Sequence, residues 1–324
     1  MSLSNWLTKL LALLVVLVLI ASCSPTEDLT GVAADTTMES LVTAEWLSEH
    51  LNDPDLVVLD CTVLSQPDEN GGFSSVSGRA QYDKGHIPTA GFADLMGELS
   101  DGQSSLGFAV PAPEQFAAAM SVLGVSDSSR VVLYDAGGSM WAARVWWMLR
   151  WIGFDQAALL DGGLAAWTAQ SLPLSTEPVN RTAGKLTVAL RPGLIVGKDE
   201  VLTAIGDDSV SIIDAMPEAH YRGAMRMYAR PGHIMSATNV PVMSLIDETS
   251  RYRPTEELDK LFTGDRDART ITYCGGGIAA SANAFVMTRL GYKDVAVYAA
   301  SLQEWAADES LPMEVAAGPQ VIDE

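Results

Sequence analysis

The chain has 324 residues, of which 48% are hydrophobic and 19% are charged, a composition ordinary for a globular protein with large apolar cores. This length predicts about two domains. Its formal net charge of −21 gives an acidic surface that repels phosphate backbones, so DNA and RNA are excluded as expected partners. Small anions are repelled as well, and a site that binds one needs its own local positive field.

Residues 1–23 predict a lipoprotein signal peptide rather than part of the fold. Lys9 gives a sparse positive region, and the apolar run at 10–21 is too short to span a bilayer comfortably. The small residues before Cys23 resemble a bacterial lipobox, which implies cleavage there and a lipid on Cys23. An ordinary secretory signal with an incidental cysteine is the alternative. Residues 24–37 are small, polar and acidic, and suit a flexible tether.

This amino terminus predicts a location. We expect the protein to be lipid-anchored in the cell envelope, on the periplasmic side of the outer membrane if the cell is Gram-negative. The lipid anchor would then be the protein's only contact with the membrane.

The first half of the mature chain, residues 38–176, alternates helix and strand patterns. Thr43 is a plausible N-cap for a helix over 42–51, and the nearly uniform apolar run at 142–152 predicts a buried helix. Short apolar runs typical of buried parallel strands occur at Leu56–Leu59, Val131–Tyr134 and Ala157–Leu160. This alternation predicts an open parallel α/β sheet flanked by helices.

The second half, residues 194–318, repeats the first in the same order after a linker over 177–193. The Gly-His-Ile run at 85–87 recurs at 232–234, and 131–135 aligns with 270–274. The strand at 57–60 likewise matches 211–214, and 159–167 matches 297–305. We therefore expect two copies of one domain, with ligands at the carboxyl ends of the strands.

Cys274 follows the predicted strand Thr270–Tyr273 and precedes three glycines, with a helix predicted over Ser281–Leu290. Glycines let the backbone curl so that successive N–H groups turn inward, and the helix adds its positive amino-terminal end. Such surroundings favour the thiolate, so the pattern predicts a sulfur nucleophile in an anion-binding cradle. A small buried apolar residue is the simpler alternative for a lone cysteine.

Cys61 is the other thiol of the mature chain, and no glycine-rich loop follows it. We expect a structural role for it. Two thiols in different halves are too few for a disulfide framework, so both are expected to be free.

Two such copies, with Gly-His-Ile after an acidic strand and a strand-Cys-glycine loop, resemble the tandem-domain rhodanese sulfurtransferases from about Leu41 to Met313. In this resemblance Asp135 holds the cysteine position of a non-catalytic first domain, and Cys274 is the catalytic residue of the second. The residues that the resemblance implies for substrate binding are Gly275, Gly276, Gly277, Ile278, Ala279, Ala280 and Arg222.

The family implies a ping-pong transfer of sulfur without a metal or organic cofactor. A thiolate takes the outer sulfur of a small anionic donor, thiosulfate or 3-mercaptopyruvate, and passes it from a persulfide to cyanide or a thiol. The uncharged glycines after Cys274 look more like the loop of 3-mercaptopyruvate sulfurtransferases than the basic loop of thiosulfate-specific rhodaneses.

One segment departs from the mercaptopyruvate type, because Met216 and His220 stand where arginines are usual. Arg222 keeps a familiar position, with an ion pair to Asp214 as its structural alternative. The densest positive run of the second copy, either a substrate site or a solvated face, consists of Arg222, Arg226 and Arg230. The donor is therefore left open.

Two other functions stand beside sulfur transfer. Cysteine phosphatases of related folds use a Cys-x5-Arg loop, but here the arginine position is Ala280, so the loop lacks the guanidinium that clamps phosphate. The missing arginines and the acidic surface favour a non-catalytic rhodanese-like module of the cell envelope that binds sulfur or senses redox state.

Overall fold

The computed structural model of the protein describes residues 38–67 and 73–315. The predicted signal peptide, the lipidation site at Cys23 and the predicted tether lie outside the described residues. Within the described ranges, no helix combines the length and the apolar character that a membrane span requires.

The first half forms a parallel sheet of five short strands, and a hairpin stands beside it. In chain order the strands are β1 (Leu41–Val42), β2 (Leu56–Asp60), β3 (Val63–Pro67), β4 (Phe73–Ser77), β5 (Gly91–Phe92), β6 (Arg130–Tyr134) and β7 (Ala157–Leu160). The parallel sheet has the order β1-β7-β6-β2-β5, and β3 and β4 form the antiparallel hairpin. Every residue of β2 is buried, as expected for a strand covered on both faces.

Five helices belong to this half, namely α1 (Ala44–His50), α2 (Arg79–Tyr82), α3 (Pro113–Val122), α4 (Met140–Trp151) and α5 (Gly163–Ala169). The predicted cap of α1 is confirmed, because the Thr43 hydroxyl accepts the Trp46 N–H at 3.2 Å. Val42 pairs with Leu160 in the sheet instead of starting the helix. The predicted buried helix at 142–152 is α4, which begins two residues earlier.

The second half repeats this architecture. Its strands are β8 (Ile195–Val196), β9 (Val210–Asp214), β10 (His233–Ile234), β11 (Thr238–Asn239), β12 (Arg269–Tyr273), β13 (Asp294–Tyr298) and β14 (Met313–Glu314). Its helices are α6 (Lys198–Ala204), α7 (Glu218–Tyr221), α8 (Thr255–Leu258), α9 (Ile278–Arg289) and α10 (Ser301–Trp305), with short 3₁₀ helices at Pro192–Leu194 and Val242–Leu245.

The two parallel sheets have the same strand order. The second sheet runs β11-β9-β12-β13-β8, which matches the first sheet strand for strand when it is read from the opposite edge. All its pairings are parallel, while β10 and β14 form a separate antiparallel pair. The expected fold, two tandem α/β domains with open parallel sheets, is confirmed.

Helices α4 and α9 pack against each other and join the two halves. Both follow the middle strand of their sheet, and both are buried over most of their length. The rings of Trp146 and Phe285 meet edge to face across this contact, with centroids 4.9 Å apart. One hydrophobic core therefore extends through both sheets.

Helix α9 begins at Ile278, three residues before the predicted start at Ser281. Gly277 takes a left-handed backbone (φ +80°) and forms the cap, so the helix starts as soon as the glycine run ends. The amino-terminal end of the helix consequently lies close to Cys274.

Phe285→Ala tests whether this contact stabilises both halves together. Removing a fully buried ring should lower the free energy of unfolding by about 3–5 kcal/mol while the protein still unfolds in a single transition. Urea unfolding followed by tryptophan fluorescence measures both quantities. Leu202→Ala, at an exposed position of α6, is the control and should leave the midpoint nearly unchanged. Two separate transitions in the native chain would contradict the shared core.

Candidate active site

Cys274 follows the last residue of β12 and is 3% exposed. Its sulfur accepts the N–H of Gly277 at 3.1 Å. Its own N–H donates to the Ser301 hydroxyl at 3.1 Å, and that hydroxyl donates to the Tyr298 carbonyl at 2.7 Å. The main chain of Cys274 is thus fixed by the start of α10, while its side chain faces the loop.

Each of the three glycines after Cys274 is required by its close neighbours. A Cβ on Gly275 would lie 1.7 Å from the Tyr228 hydroxyl oxygen, and one on Gly276 would lie 2.1 Å from Nε2 of Gln303. A Cβ on Gly277 would lie 2.7 Å from the Ala299 carbonyl oxygen. The glycine run therefore lets the loop curl under Tyr228 and Gln303. The sequence predicts the curl but not these two neighbours.

The first turn of α9 supplies further donors to the loop. The N–H groups of Ile278, Ala279 and Ala280 have no acceptor within the helix, because the first N–H groups of a helix never do. They carry the partial positive charge of the helix terminus. The Gly277 carbonyl, which points the other way, accepts the Ser281 hydroxyl at 2.7 Å. The loop can therefore hold negative charge without any charged side chain of its own.

The first domain shows the equivalent loop, one residue longer, with an anion in it. Asp135 follows β6 as Cys274 follows β12, and its carboxylate is fully buried. One oxygen accepts the N–H groups of Gly137 and Ser139 at 3.0 and 3.1 Å, and the other accepts those of Trp141 and Ala142 at 3.0 and 3.2 Å. Burial raises the pKa of Asp135 to about 6, against the opposing effect of these amides.

Trp141 and Ala142 are the second and third residues of α4, as Ala279 and Ala280 are of α9. The filled loop of the first domain thus shows that the first turn of this helix donates to an anion placed after the middle strand. A role of the loop residues of the second domain in binding substrate stays a prediction.

Three side chains that the sequence analysis did not select complete the site. The Tyr228 hydroxyl lies against Gly275. Gln303 exchanges two hydrogen bonds with the Gly107 main chain of the first domain, at 2.8 and 3.2 Å, and its own N–H donates to the Gly275 carbonyl at 3.0 Å. Arg144, also from the first domain, approaches Gly277. An arginine amid the apolar residues near the start of α4 was the available signal.

None of the hydrogen bonds described for the arginine run of the second copy joins it to Cys274. The suggested pairing of Arg222 with Asp214 is wrong, because its guanidinium pairs with Glu218 at 2.7 Å on an exposed turn of α7. Arg230 donates to four main-chain carbonyls and is structural, whereas Arg226 is exposed and donates to the carbonyls of Tyr228 and Ala229. A role of Arg222 in substrate binding stays a prediction.

The histidines of the two Gly-His-Ile runs and Cys61 have structural surroundings. His86 and His233 are buried, stack on Tyr82 and Tyr221, and make short contacts with the main-chain oxygens of those tyrosines. Cys61 is fully buried, which raises the pKa of its thiol well above the usual value. Cys61 and Cys274 are both free, as expected.

Comparisons with known proteins agree with this architecture. The model of the Rhodanese-like domain matches residues 43–170 and 197–308. The chain is 36% identical over 279 residues to the 3-mercaptopyruvate sulfurtransferase of Escherichia coli (strain K12), covering 84% of this chain and 97% of the relative. It is 33% identical over 305 residues to the mitochondrial thiosulfate/3-mercaptopyruvate sulfurtransferase 1 of Arabidopsis thaliana, covering 86% and 79%.

A solved structure shows the same arrangement of domains. The crystal structure of the 3-mercaptopyruvate sulfotransferase SseA from Escherichia coli superimposes with a TM-score of 0.73 at 34% sequence identity, covering 82% of this chain and 99% of that one. Family match, identity and fold agree over most of the chain. The chain therefore belongs to the rhodanese family, as a sulfurtransferase with two tandem rhodanese-like domains.

Proposed function

We propose that the protein moves a sulfur atom from 3-mercaptopyruvate or thiosulfate to cyanide or a thiol, through a persulfide on Cys274, whose outer atom is the sulfane sulfur. The observation that carries this assignment is the 3.1 Å hydrogen bond from the Gly277 N–H to the Cys274 sulfur, at the amino-terminal end of α9. This is the position where a thiolate gains most from main-chain dipoles. The activities for which these relatives are named support the same chemistry.

In the first half-reaction, the Cys274 thiolate attacks the outer sulfur of the donor. A bond forms between the two sulfurs, and the bond from the transferred sulfur to the rest of the donor breaks, its electron pair leaving with the remnant. Thiosulfate leaves as sulfite. The 3-mercaptopyruvate remnant leaves as the enolate of pyruvate, which takes up the proton of the donor thiol.

In the second half-reaction, an acceptor attacks the outer sulfur of the persulfide. Cyanide leaves as thiocyanate, and a thiolate acceptor leaves as its own persulfide. The electron pair of the S–S bond returns to Cys274, so the thiolate is regenerated. Neither half-reaction needs an oxidant or a reductant.

In this cycle, the loop after Cys274 stabilises the negative charge of the persulfide intermediate. The outer sulfur of a persulfide stands two bonds from Cβ, as the carboxylate oxygens of Asp135 do in the first domain. Those oxygens accept four main-chain N–H groups at 3.0 to 3.2 Å. Donors preorganised in this way stabilise charge without reorganisation during the reaction.

The donor that we favour is 3-mercaptopyruvate. The loop after Cys274 carries no charged residue. Thiosulfate is a dianion and depends more on nearby cations. The Escherichia coli relative, which is named for 3-mercaptopyruvate alone, supports this choice.

We also propose that the protein is held at the cell envelope by a lipid on Cys23, on the periplasmic side of the outer membrane in a Gram-negative host. The short apolar run and the small residues before Cys23 support this location.

Cys274→Ser tests the nucleophile. We expect the native protein, from Ser24 onward, to gain the mass of one sulfur atom after incubation with either donor, with 3-mercaptopyruvate loading faster, and to lose it to cyanide as thiocyanate. The serine variant should gain nothing, because its hydroxyl is not ionised at neutral pH. Intact-protein mass spectrometry measures the gain. A sulfur retained by the variant would overturn the role of Cys274, and loading without turnover would leave a sulfur-binding module.

Gly275→Ala tests the shape of the loop. Its new Cβ would overlap the Tyr228 hydroxyl, so the loop must move, and a shift of about 1 Å should slow persulfide formation by roughly 10²-fold. The double variant Gly275→Ala/Tyr228→Ala removes the obstructing side chain, so its rate of persulfide formation should come close to that of Tyr228→Ala alone. Gly102→Ala is the matched control, since nothing lies within 4 Å of its Cβ position. Stopped-flow measurement of sulfite release from thiosulfate gives the rates; an unchanged rate in Gly275→Ala would contradict the close packing.

Cys23→Ala tests the anchor. The full chain expressed in a bacterial host should incorporate a labelled fatty acid and sediment with membranes, and the variant should lose both properties because the acceptor thiol is gone. Ser24→Ala, one position further on, keeps that thiol and should still be labelled. Fatty-acid label retained by Cys23→Ala, or its absence from the native chain, would refute the lipoprotein assignment.

A further inference from the structure

Arg144 is a fully buried arginine that the cycle described above does not use. It lies on α4 of the first domain and is 1% exposed. It is the fifth residue of α4, and the fifth residue of the equivalent helix α9 is Ala282. The arginine is therefore present only in the copy without the cysteine.

The positive charge and the hydrogen-bond donors of its guanidinium have few partners. One Nη donates to the Phe108 carbonyl at 3.0 Å, while Nε and the other Nη have no hydrogen-bond partner. Within the described part of the chain, no carboxylate forms a salt bridge with it, although many exposed arginines have one. A buried cation without a counter-ion is strongly unfavourable, so this arrangement needs an explanation.

The position of the guanidinium explains why this buried charge is tolerated. Its Nη1 lies 3.0 Å from where a Cβ on Gly277 would stand, and the Gly277 N–H is the group that donates to the Cys274 sulfur at 3.1 Å. Burial lowers the pKa of Arg144 to about 10, and the negative charge of Cys274 opposes that lowering. Arg144 therefore remains a cation at neutral pH and lies beside the residue that donates to the sulfur.

We propose that Arg144 is a positioning residue whose positive charge, supplied by the domain that carries Asp135 in place of the loop cysteine, stabilises the ionised sulfur of Cys274 in the other domain. The active site is then completed across the interface between α4 and α9. This inference rests on the proposed function only in taking Cys274 as the reacting sulfur.

The charge acts on the sulfur rather than on the donor. Arg144 is buried and lies against Gly277, the residue whose N–H donates to the Cys274 sulfur, so a donor arriving from solvent does not reach the guanidinium. A nearby opposite charge favours the ionised form of a titrating group. Loss of the charge should therefore change the pH dependence of the thiol and leave the KM for the donor nearly unchanged.

The test is the rate at which neutral iodoacetamide alkylates Cys274, measured against pH by peptide mass spectrometry, which separates Cys274 from Cys61. Arg144→Gln keeps a donor for the Phe108 carbonyl but loses the charge. Its alkylation midpoint should move up by about one to two pH units, with a fall of roughly tenfold or more in rate at neutral pH. Arg144→Lys keeps the charge and should return most of the way to the native midpoint.

Two further variants make the result decisive. Arg144→Met is a second neutral side chain of similar length, in case Arg144→Gln does not fold. Arg150→Gln is the matched control on the same helix, because Arg150 pairs with Asp155 away from the loop and its loss should leave the midpoint unchanged. A folded neutral variant with the native midpoint would overturn the proposal.

This outcome is separable from that of the proposed function, because alkylation needs no sulfur donor. A shifted midpoint in a protein that transfers no sulfur would support the role of Arg144 and refute the activity. If the protein loads sulfur normally but the alkylation midpoint of Cys274 is the same with and without the charge of Arg144, the activity is supported and the role of Arg144 is refuted.

Discussion

The hydrogen bond from the Gly277 N–H to the Cys274 sulfur is the contact on which the site depends. It exists because β12 ends at Tyr273, Gly277 adopts a left-handed backbone, and α9 starts at the next residue. Each condition brings main-chain N–H groups toward one atom. Because those donors belong to the backbone, the loop can hold an anion without a charged side chain of its own, and its sequence needs small residues more than polar ones.

The duplication explains how such a site is supported. In the first copy, the carboxylate of Asp135 occupies the equivalent loop with its own four hydrogen bonds, so that loop offers neither a nucleophile nor free donors. Its helix α4 nevertheless packs on α9 and places the Arg144 guanidinium beside the active loop. Gly107 reaches the same loop through Gln303. The first domain thus forms one wall of the candidate site, which gives a physical reason for keeping both domains in one chain.

The sequence was informative wherever the determining forces are local. Apolar runs predicted the strands, and the glycine run predicted the loop because its backbone freedom is a property of the residues themselves. The start of α9 was missed because Gly277 serves as its cap, which the pattern of side chains does not show. Gln303 was missed because it meets Gly107 across 196 residues of chain. The pairing of Arg222 with Asp214 failed because Glu218, four residues away on α7, is the nearer partner.

The electrostatics of the protein act at two ranges. Its net charge of −21 repels anions from a distance, but ionic solutions screen surface charges beyond about 8–10 Å. The cation of Arg144 is buried and is screened far less. A buried cation and an ionised sulfur stabilise each other, and this coupling is reciprocal: the cation favours the thiolate and the persulfide, and either anion offsets the cost of burying the cation. In the proposed cycle, the same coupling favours the sulfur-loaded protein between donor and acceptor, because the persulfide keeps the negative charge that offsets the buried guanidinium.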